Sequence, residues 1–550
     1  MFAGFFVVIG DFYTSCTSRG GVSLSYFHGL RPDYIRRALL AAVTVTASGG
    51  AFADSVVLKS TDGSVNLEGE LISFSDNDYV IQTALGDMRI SAENVSCTGE
   101  GCPVFGTIEA DIEIGGSDTV AEGLMPLLLE GFATQSGAES KVESARNEGE
   151  FATTLIGQDG FGEKIGTFLV RSGSSDDAFS GLLDKSLQFG LSARRITPDE
   201  ARRLAADGAG NMVDSSQEHI LAIDSLNVIV NPANPISAIS VANLAGIYSG
   251  QITNWSVLGG PDLAIQPVTL RDRASREVFT AGIFGDGASP TLFSSFEAED
   301  NVAAANYVGA NQGALAFVGF AFKRGQKAVS LISECGIGTT PDAFSVKTEE
   351  YSLFRRLYMY NRADTDSPLV QDLIDYAYSD ASTSVILQSG FIDLSVERIT
   401  QGANGPRAMR IRNSGADAFE NQIISDMVFR MDQNDRLSST FRFRTGSSRL
   451  DPRGQLDLKR LATYLAELPS GTEVTFVGFA DSVGAFEPNI ALSKARAAAV
   501  QQALSAQAGD TLRNIKFNVL GFGEVAPSAC NNNDSGRAIN RRVETWVKQP

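Results

Sequence analysis

Asp481 and Arg496 are the residues of this 550-residue chain whose types and spacing point most directly to chemistry. A strand-like apolar run at 474–477 delivers Asp481 to a loop, and an Ala-rich helix expected to begin near Ala491 delivers Arg496 one turn in. A carboxylate and a guanidinium side by side at a strand-to-helix junction fit a zwitterion: the aspartate takes an ammonium, the arginine a carboxylate through a two-pronged, charge-assisted contact. A second candidate is the run Gly115, Gly116, Ser117, Asp118, Thr119, Val120, which joins an expected strand at 109–114 to an apolar helix at 124–132. Hydroxyls and free backbone N–H groups at a helix N-terminus suit an anion, although Ser and Thr there also serve as plain N-caps. Histidine chemistry has almost no material, because only His28 and His219 are present and a His-cluster metal site or His-based triad needs more. The serine cluster at 173–175 lacks the G-x-S-x-G elbow of a hydrolase. No enzyme, cofactor or metal is expected, and His219 is read as a structural polar residue.

The chain is too long for one core, and three or four units are expected. Its formal net charge is −20; residues 431–550 hold 15 Lys and Arg against 12 Asp and Glu, so the acidity belongs to residues 1–430. That balance argues against nucleic-acid binding, which needs basic surface to replace counterions. Arg36 and Arg37, the short apolar run 38–43 and a small-x-small site at 51–53 predict a secretory leader over 1–53, too short in its apolar part to span a bilayer. The material before about residue 30 resembles no signal element, so either the charged region is unusually long or the start codon lies further on. A small all-β unit is expected over 54–108: from 55 to 96 apolar and polar side chains alternate between Asp, Gly and Asn turns, which predicts short antiparallel strands. Cys97 and Cys102 close this unit, and in an exported chain a local disulfide is expected. Cys335 and Cys530 could pair only if their two domains dock, and the sequence leaves that open.

Residues 478–500, together with 443–451, a helix at 455–468, Gly521 to Glu524, 531–537 and 540–544, resemble the peptidoglycan-binding domain of the OmpA-like family. The resemblance implies an α/β domain over 438–550 in which Asp481 and Arg496 hold the diaminopimelate of the cell-wall peptide. Phe479 and Ala480 depart from the family, which usually has a His or Tyr and a Thr there. Asn489 is read as ordering the loop; Arg537, Arg541 and Arg542 are read as packing against the last strand, with a second contact to the ligand as the alternative.

Upstream, 112–120, 173–179 with a second helix running on towards 189–192, 221–224, 227–232, 244–255, 270–276, 313–319 and 390–394 taken in order resemble the phosphate-binding solute receptors of ABC transporters. That implies a two-lobed α/β type II periplasmic-binding-protein fold over 109–396 with a ligand in the cleft between lobes. Carried over by position, the anion contacts are Ser117 and Thr119, Ser174 and Ser175, and Arg271 with Ser275. Ser192, Ala193 and Arg194 replace the family's proton-accepting Asp, and Ala274 to Glu277 replace its Gly-Ser-Gly-Thr. The extra arginines suit a more highly charged anion, unless Glu277 pairs with them. Residues 397–437 read as a linker with a packing helix at 418–429. The expected protein is a periplasmic binder of phosphate or another small anion, anchored to peptidoglycan and serving an ABC permease or an outer-membrane component. The alternative is a structural envelope protein whose receptor-like domain no longer binds a ligand.

Overall fold

The computed structural model describes residues 55–549 apart from 61–65, 76–77, 84–85, 93–94, 100–101, 103–108, 146–148, 159–161, 286, 289, 415–416 and 451. The expected leader, with His28, lies outside the described residues. The first unit is a five-stranded antiparallel sheet in the order Gly86–Ser91, Asp78–Thr83, Asn66–Ser75, Ser55–Ser60, Val95–Thr98. Alternation puts Val56, Leu58, Tyr79 and Ile81 on its one buried face. Cys97 and Cys102 form a disulfide at its end.

The receptor-like part is built on one sheet that runs through both lobes. From the second lobe to the first its order is Phe296–Ala298, Gln266–Leu270, Ala314–Gly319, Glu218–Val230, Phe354–Asn361, Phe189–Ser192, Ile112–Ser117, Lys164–Gly173, Glu150–Gly157, Ala138–Ser144. The neighbours of Ile112–Ser117 are parallel, as are those of Gln266–Leu270. The joining strands Glu218–Val230 and Phe354–Asn361 are antiparallel, so the two lobes share one mixed sheet. All thirteen residues of Glu218–Val230 are buried, because the strand passes from the core containing Leu221 and Ala222 into the core containing Ile223 and Leu226. Residues 189–192, expected as the end of a helix, are a strand; the helix Ser175–Leu183 stops earlier.

In the C-terminal part the sheet order is Arg398–Thr400, Asn434–Arg442, Arg542–Lys548, Glu473–Gly478, Lys516–Gly521. The period of two in a strand splits the fourth member between two layers. Val474 and Phe476 pack under the helices Pro452–Ala466 and Phe486–Ala508, whereas Val477 meets Pro406–Arg412 and Ala418–Asp432 on the other face. The segment expected as a linker therefore supplies an edge strand and a whole helical layer of this domain.

Two devices dock this domain on the receptor part. Cys335 and Cys530 form a disulfide. Beside it, Glu350 of the second lobe accepts from Arg436 Nη2 (2.9 Å) and Ser528 Oγ (2.7 Å). Facing the first lobe, a cavity of about 580 Å³ separates His219 and Tyr378 from Arg460 and Tyr464 of the helix Pro452–Ala466. His219 takes the structural role expected of it, bonded to Tyr378 Oη (3.0 Å) and Asn361 Oδ1 (2.7 Å).

Candidate functional site

Residues Ile112–Ser117 end in a turn that only glycine allows: Gly116 has φ +131°, and a Cβ there would lie 2.1 Å from Leu191 O. The turn delivers Ser117, buried and making no side-chain cap, and then Asp118, whose Oδ1 accepts from Thr119 N and from Thr119 Oγ1 (3.2 Å). From the second lobe, the helix Arg273–Phe284 begins at Asp272, whose carboxylate accepts from Ala274 N (3.0 Å) and Ser275 N (2.9 Å). Asp118 and Asp272 meet across the cleft. Burial, then the charge of Asp272, pushes the Asp118 carboxyl up to about 6, while bonds from Ser275 and the charge of Arg355 hold Asp272 down despite its burial. Below about pH 6 the pair therefore holds one proton, on Asp118.

The other expected contacts divide. Ser275 is fully buried and its Oγ accepts from Arg355 Nη2 (3.3 Å). Ser175 Oγ accepts from Ala193 N (3.0 Å), which leaves its hydroxyl hydrogen to give. Ser174 is the N-cap of Ser175–Leu183 and closes a capping box with Asp177, so its donor and acceptor are both used. Arg271 does not join the others: its side chain is 66% exposed and points to Glu299 (3.8 Å). The remaining arginines are occupied by local carboxylates, Arg194 by Glu200 and Asp176, Arg273 by Glu277, and Arg276 by Glu297.

The second site lies where Glu473–Gly478 passes under Phe486–Ala508. Gly478 permits the crossing, since a Cβ there would be 1.8 Å from Ser493 O. The helix starts at Phe486, so Arg496 sits about three turns in, rather than one. Its side chain is buried against the Phe443 ring, donating from Nε to Ser447 O (2.9 Å) and from Nη2 to Arg444 O (3.3 Å). Nη1 is buried without a partner. Burial first, and then the nearby Arg541, brings the Arg496 guanidinium down to about 10 against the opposing pull of Asp481. Asp481 itself pairs with Arg541 Nη1 (2.7 Å), and its Oδ1 accepts from Val483 N (3.2 Å). Asn489 holds this loop by donating to Asp481 O, Val483 O and Glu524 Oε2. Phe479, the departure noted in the sequence, is buried under the Arg542 guanidinium, 4.1 Å from its ring centre, and against Phe522.

A family model described as a PBP superfamily domain matches residues 104–381, half of the chain, and an OmpA family model matches residues 442–541. The chain belongs to the PBP superfamily. Its C-terminal domain is of the OmpA family, and both families are non-enzymatic. Over 240 residues the PBP part is 25% identical to the phosphate-binding protein PstS of Bacillus subtilis (strain 168), covering 44% of this chain and 75% of that protein. The C-terminal part is 37% identical over 113 residues to outer membrane porin F of Pseudomonas aeruginosa, covering 20% of this chain and only 31% of the porin. A crystal structure of an ABC-type phosphate transport receptor from Vibrio cholerae aligns with 51% of this chain and 99% of its own, at 23% identity and a TM-score of 0.38.

One feature of the PBP domain and one of the OmpA domain escaped the sequence reading. Asp224 and Arg355 pair across the joining strands (Nη2 to Oδ2, 2.9 Å), and the signal was present as charges of opposite sign set inside two largely apolar strands. In the OmpA domain, Arg541 bonds Asp481, where packing against the last strand was expected. The shared proton gives the PBP cleft a pH dependence. The folded state holds it more tightly than the unfolded chain, so its stabilising contribution is complete below the ordinary carboxyl value and lost as pH rises through about 6. Thermal melts of the ligand-free protein are therefore expected to lose this contribution between about pH 4 and pH 7, and Asp118→Asn, which keeps a donor towards Asp272, should flatten that part of the profile. An unchanged profile in Asp118→Asn would remove the shared proton from the account.

Proposed function

We propose that the protein is an exported solute-binding protein tethered non-covalently to peptidoglycan by its OmpA-family domain. The observation that carries this reading is Arg496, a buried guanidinium with one nitrogen unpartnered and a carboxylate, Asp481, beside it. A buried cation without an acid partner is costly, and a ligand carboxylate removes that cost. The ammonium of the same zwitterion has Asp481 to meet, and diaminopimelate in the wall peptide offers both groups. In the PBP cleft the ligand proposed is an oxyanion, phosphate first, met by hydroxyls of Ser117, Thr119, Ser175 and Ser275, with Ser174 and Arg271 joining only after rearrangement. This places the protein in the periplasm, at the cell wall, with an ABC permease or an outer-membrane component as further partner. Purified chain should sediment with sacculi and be released by free diaminopimelate, and phosphate titration should give heat; absence of the first would remove the anchor, absence of the second with several oxyanions would remove the solute.

A second reading has its own support. Asp272 already holds the N-terminus of Arg273–Phe284, and Arg271 faces outward, as expected of a receptor fold kept as a spacer between wall and membrane. Silent titrations with intact sacculus binding would select it.

A further inference from the structure

We propose that Arg355, not Arg271, is the guanidinium that anchors an anion in the PBP cleft; this rests on the oxyanion reading above. Arg355 stands on the joining strand Phe354–Asn361, opposite Asp224 in register, at the point where the sheet leaves one lobe and enters the other. Its side chain is 5% exposed. The Nε edge is fixed, since Nε (3.0 Å) and Nη2 (2.9 Å) both reach Asp224 Oδ2, while Asp224 Oδ1 accepts from Ser225 N (2.8 Å). Nη2 also donates to Ser275 Oγ, which carries the head of the guanidinium to the start of the helix Arg273–Phe284. Nη1 is buried and has no partner.

That arrangement has the parts of an anion site. One edge of the fork is locked by a carboxylate, which sets its orientation before any ligand arrives; the other presents an unused N–H pair of the kind that takes a tetrahedral oxyanion. Ser275, as acceptor from Arg355, keeps its own hydroxyl hydrogen to donate to the same anion. The helix N-terminus adds favourable potential beside them. Asp272 occupies the same region, and its charge also bears on Arg355. Below about pH 6, where Asp118 keeps its proton, the two aspartates bring one negative charge to the floor, and Asp118 is a neutral donor that can turn from Asp272 to the ligand. Arg271 lacks every one of these features: it is exposed, at 3.8 Å from an exposed glutamate, and nothing fixes its head group.

The test is phosphate calorimetry on the full chain and three variants. Arg271→Ala should bind within about threefold of the parent, the size of a surface charge effect. Arg355→Lys, which keeps the charge and loses the fork, should bind about 100-fold more weakly, as expected for truncating a buried hydrogen-bonded charge. Because Arg355→Lys disturbs a buried ion pair, the neutral pair R355Q/D224N serves as a second variant that leaves no lone charge; it too should lose binding while melting as the parent does. Binding retained in either Arg355 variant, or abolished by Arg271→Ala, overturns the assignment and leaves the oxyanion reading standing. A parent silent with phosphate, arsenate and sulfate overturns both together.

Discussion

Arg496→Met is expected to weaken sacculus binding about 100-fold or more, while leaving the melting temperature of the protein unchanged or raised. Methionine fills much of the same space against Phe443, and what it removes is a charge that the fold holds at a cost. The guanidinium gives two hydrogen bonds to backbone carbonyls, sits over an aromatic ring, and still keeps Nη1 buried and unsatisfied, with its pKa brought down to about 10 by burial. A group that is well packed and yet electrostatically unsatisfied is one that a ligand's carboxylate can complete. Asp481→Ala should lose as much binding but for two reasons, because it removes the ammonium acceptor and also strands Arg541 next to Arg496. Its melting temperature should therefore fall, unlike that of Arg496→Met. Arg541→Ala separates the roles: it frees Asp481 Oδ2, so binding should change less than in either of the others. Co-sedimentation with purified sacculi, read beside thermal melts of each variant, checks the order; Arg496→Met that binds as the parent does would remove Arg496 from the site.

How far the sequence alone reached depended on whether a feature was local. The Asp481 loop and Arg496 were legible because a strand, a loop and a helix within thirty residues carry both, although the helix starts at Phe486, before the Ala-rich run that suggested its beginning. The period-two runs near the N-terminus gave the small β unit for the same reason, and the disulfide between Cys97 and Cys102 closes it. What failed was non-local. Arg271 is placed by position in a series of motifs, yet rotation about its own side chain carries it out to Glu299, and only packing decides that. Arg355 and Asp224 are far apart in the chain, and their pairing exists only once two strands cross from lobe to lobe. The segment 397–437 looked like a linker because its apolar residues are spread over two separate helices. They find their partners on the far face of a sheet whose near face is already covered by other helices.

Glu350→Ala, combined with Cys335→Ser and Cys530→Ser, is expected to separate the PBP and OmpA domains into independently melting units. The interface is a buried ion cluster. Glu350 accepts from Arg436 and Ser528; Arg436 Nε also lies 3.1 Å from Glu544 Oε2, and Glu544 in turn holds Arg407 (2.6 Å) and Arg542 (2.8 Å) and accepts from Trp546 Nε1 (2.9 Å). Nearby, Glu349 holds Arg356 and lies 3.6 Å from Arg442. Arginines outnumber carboxylates, so the loss of one glutamate leaves buried cations facing one another, a defect that costs about 3–5 kcal/mol. The disulfide would hide most of it. Its cysteines are 195 residues apart, and closing a loop of that length contributes about 5 kcal/mol in the chain-entropy account. Each change alone should therefore lower the transition without dividing it, and the triple variant should divide it. Acid acts on the same cluster from the other side. The surrounding arginines hold the carboxyls of Glu350 and Glu544 below the usual range in spite of their burial. With folded values depressed, their contribution is complete above the unfolded value of about 4.5 and is lost only as pH falls through the lower folded ones. Docking in the reduced parent should then persist well below about pH 4.5, while the triple variant is already undocked at neutral pH. Scanning calorimetry of the parent, the single changes and the triple variant reads this directly, and one undivided transition in the triple variant would mean that apolar contact, not the ion cluster and the disulfide, joins the domains.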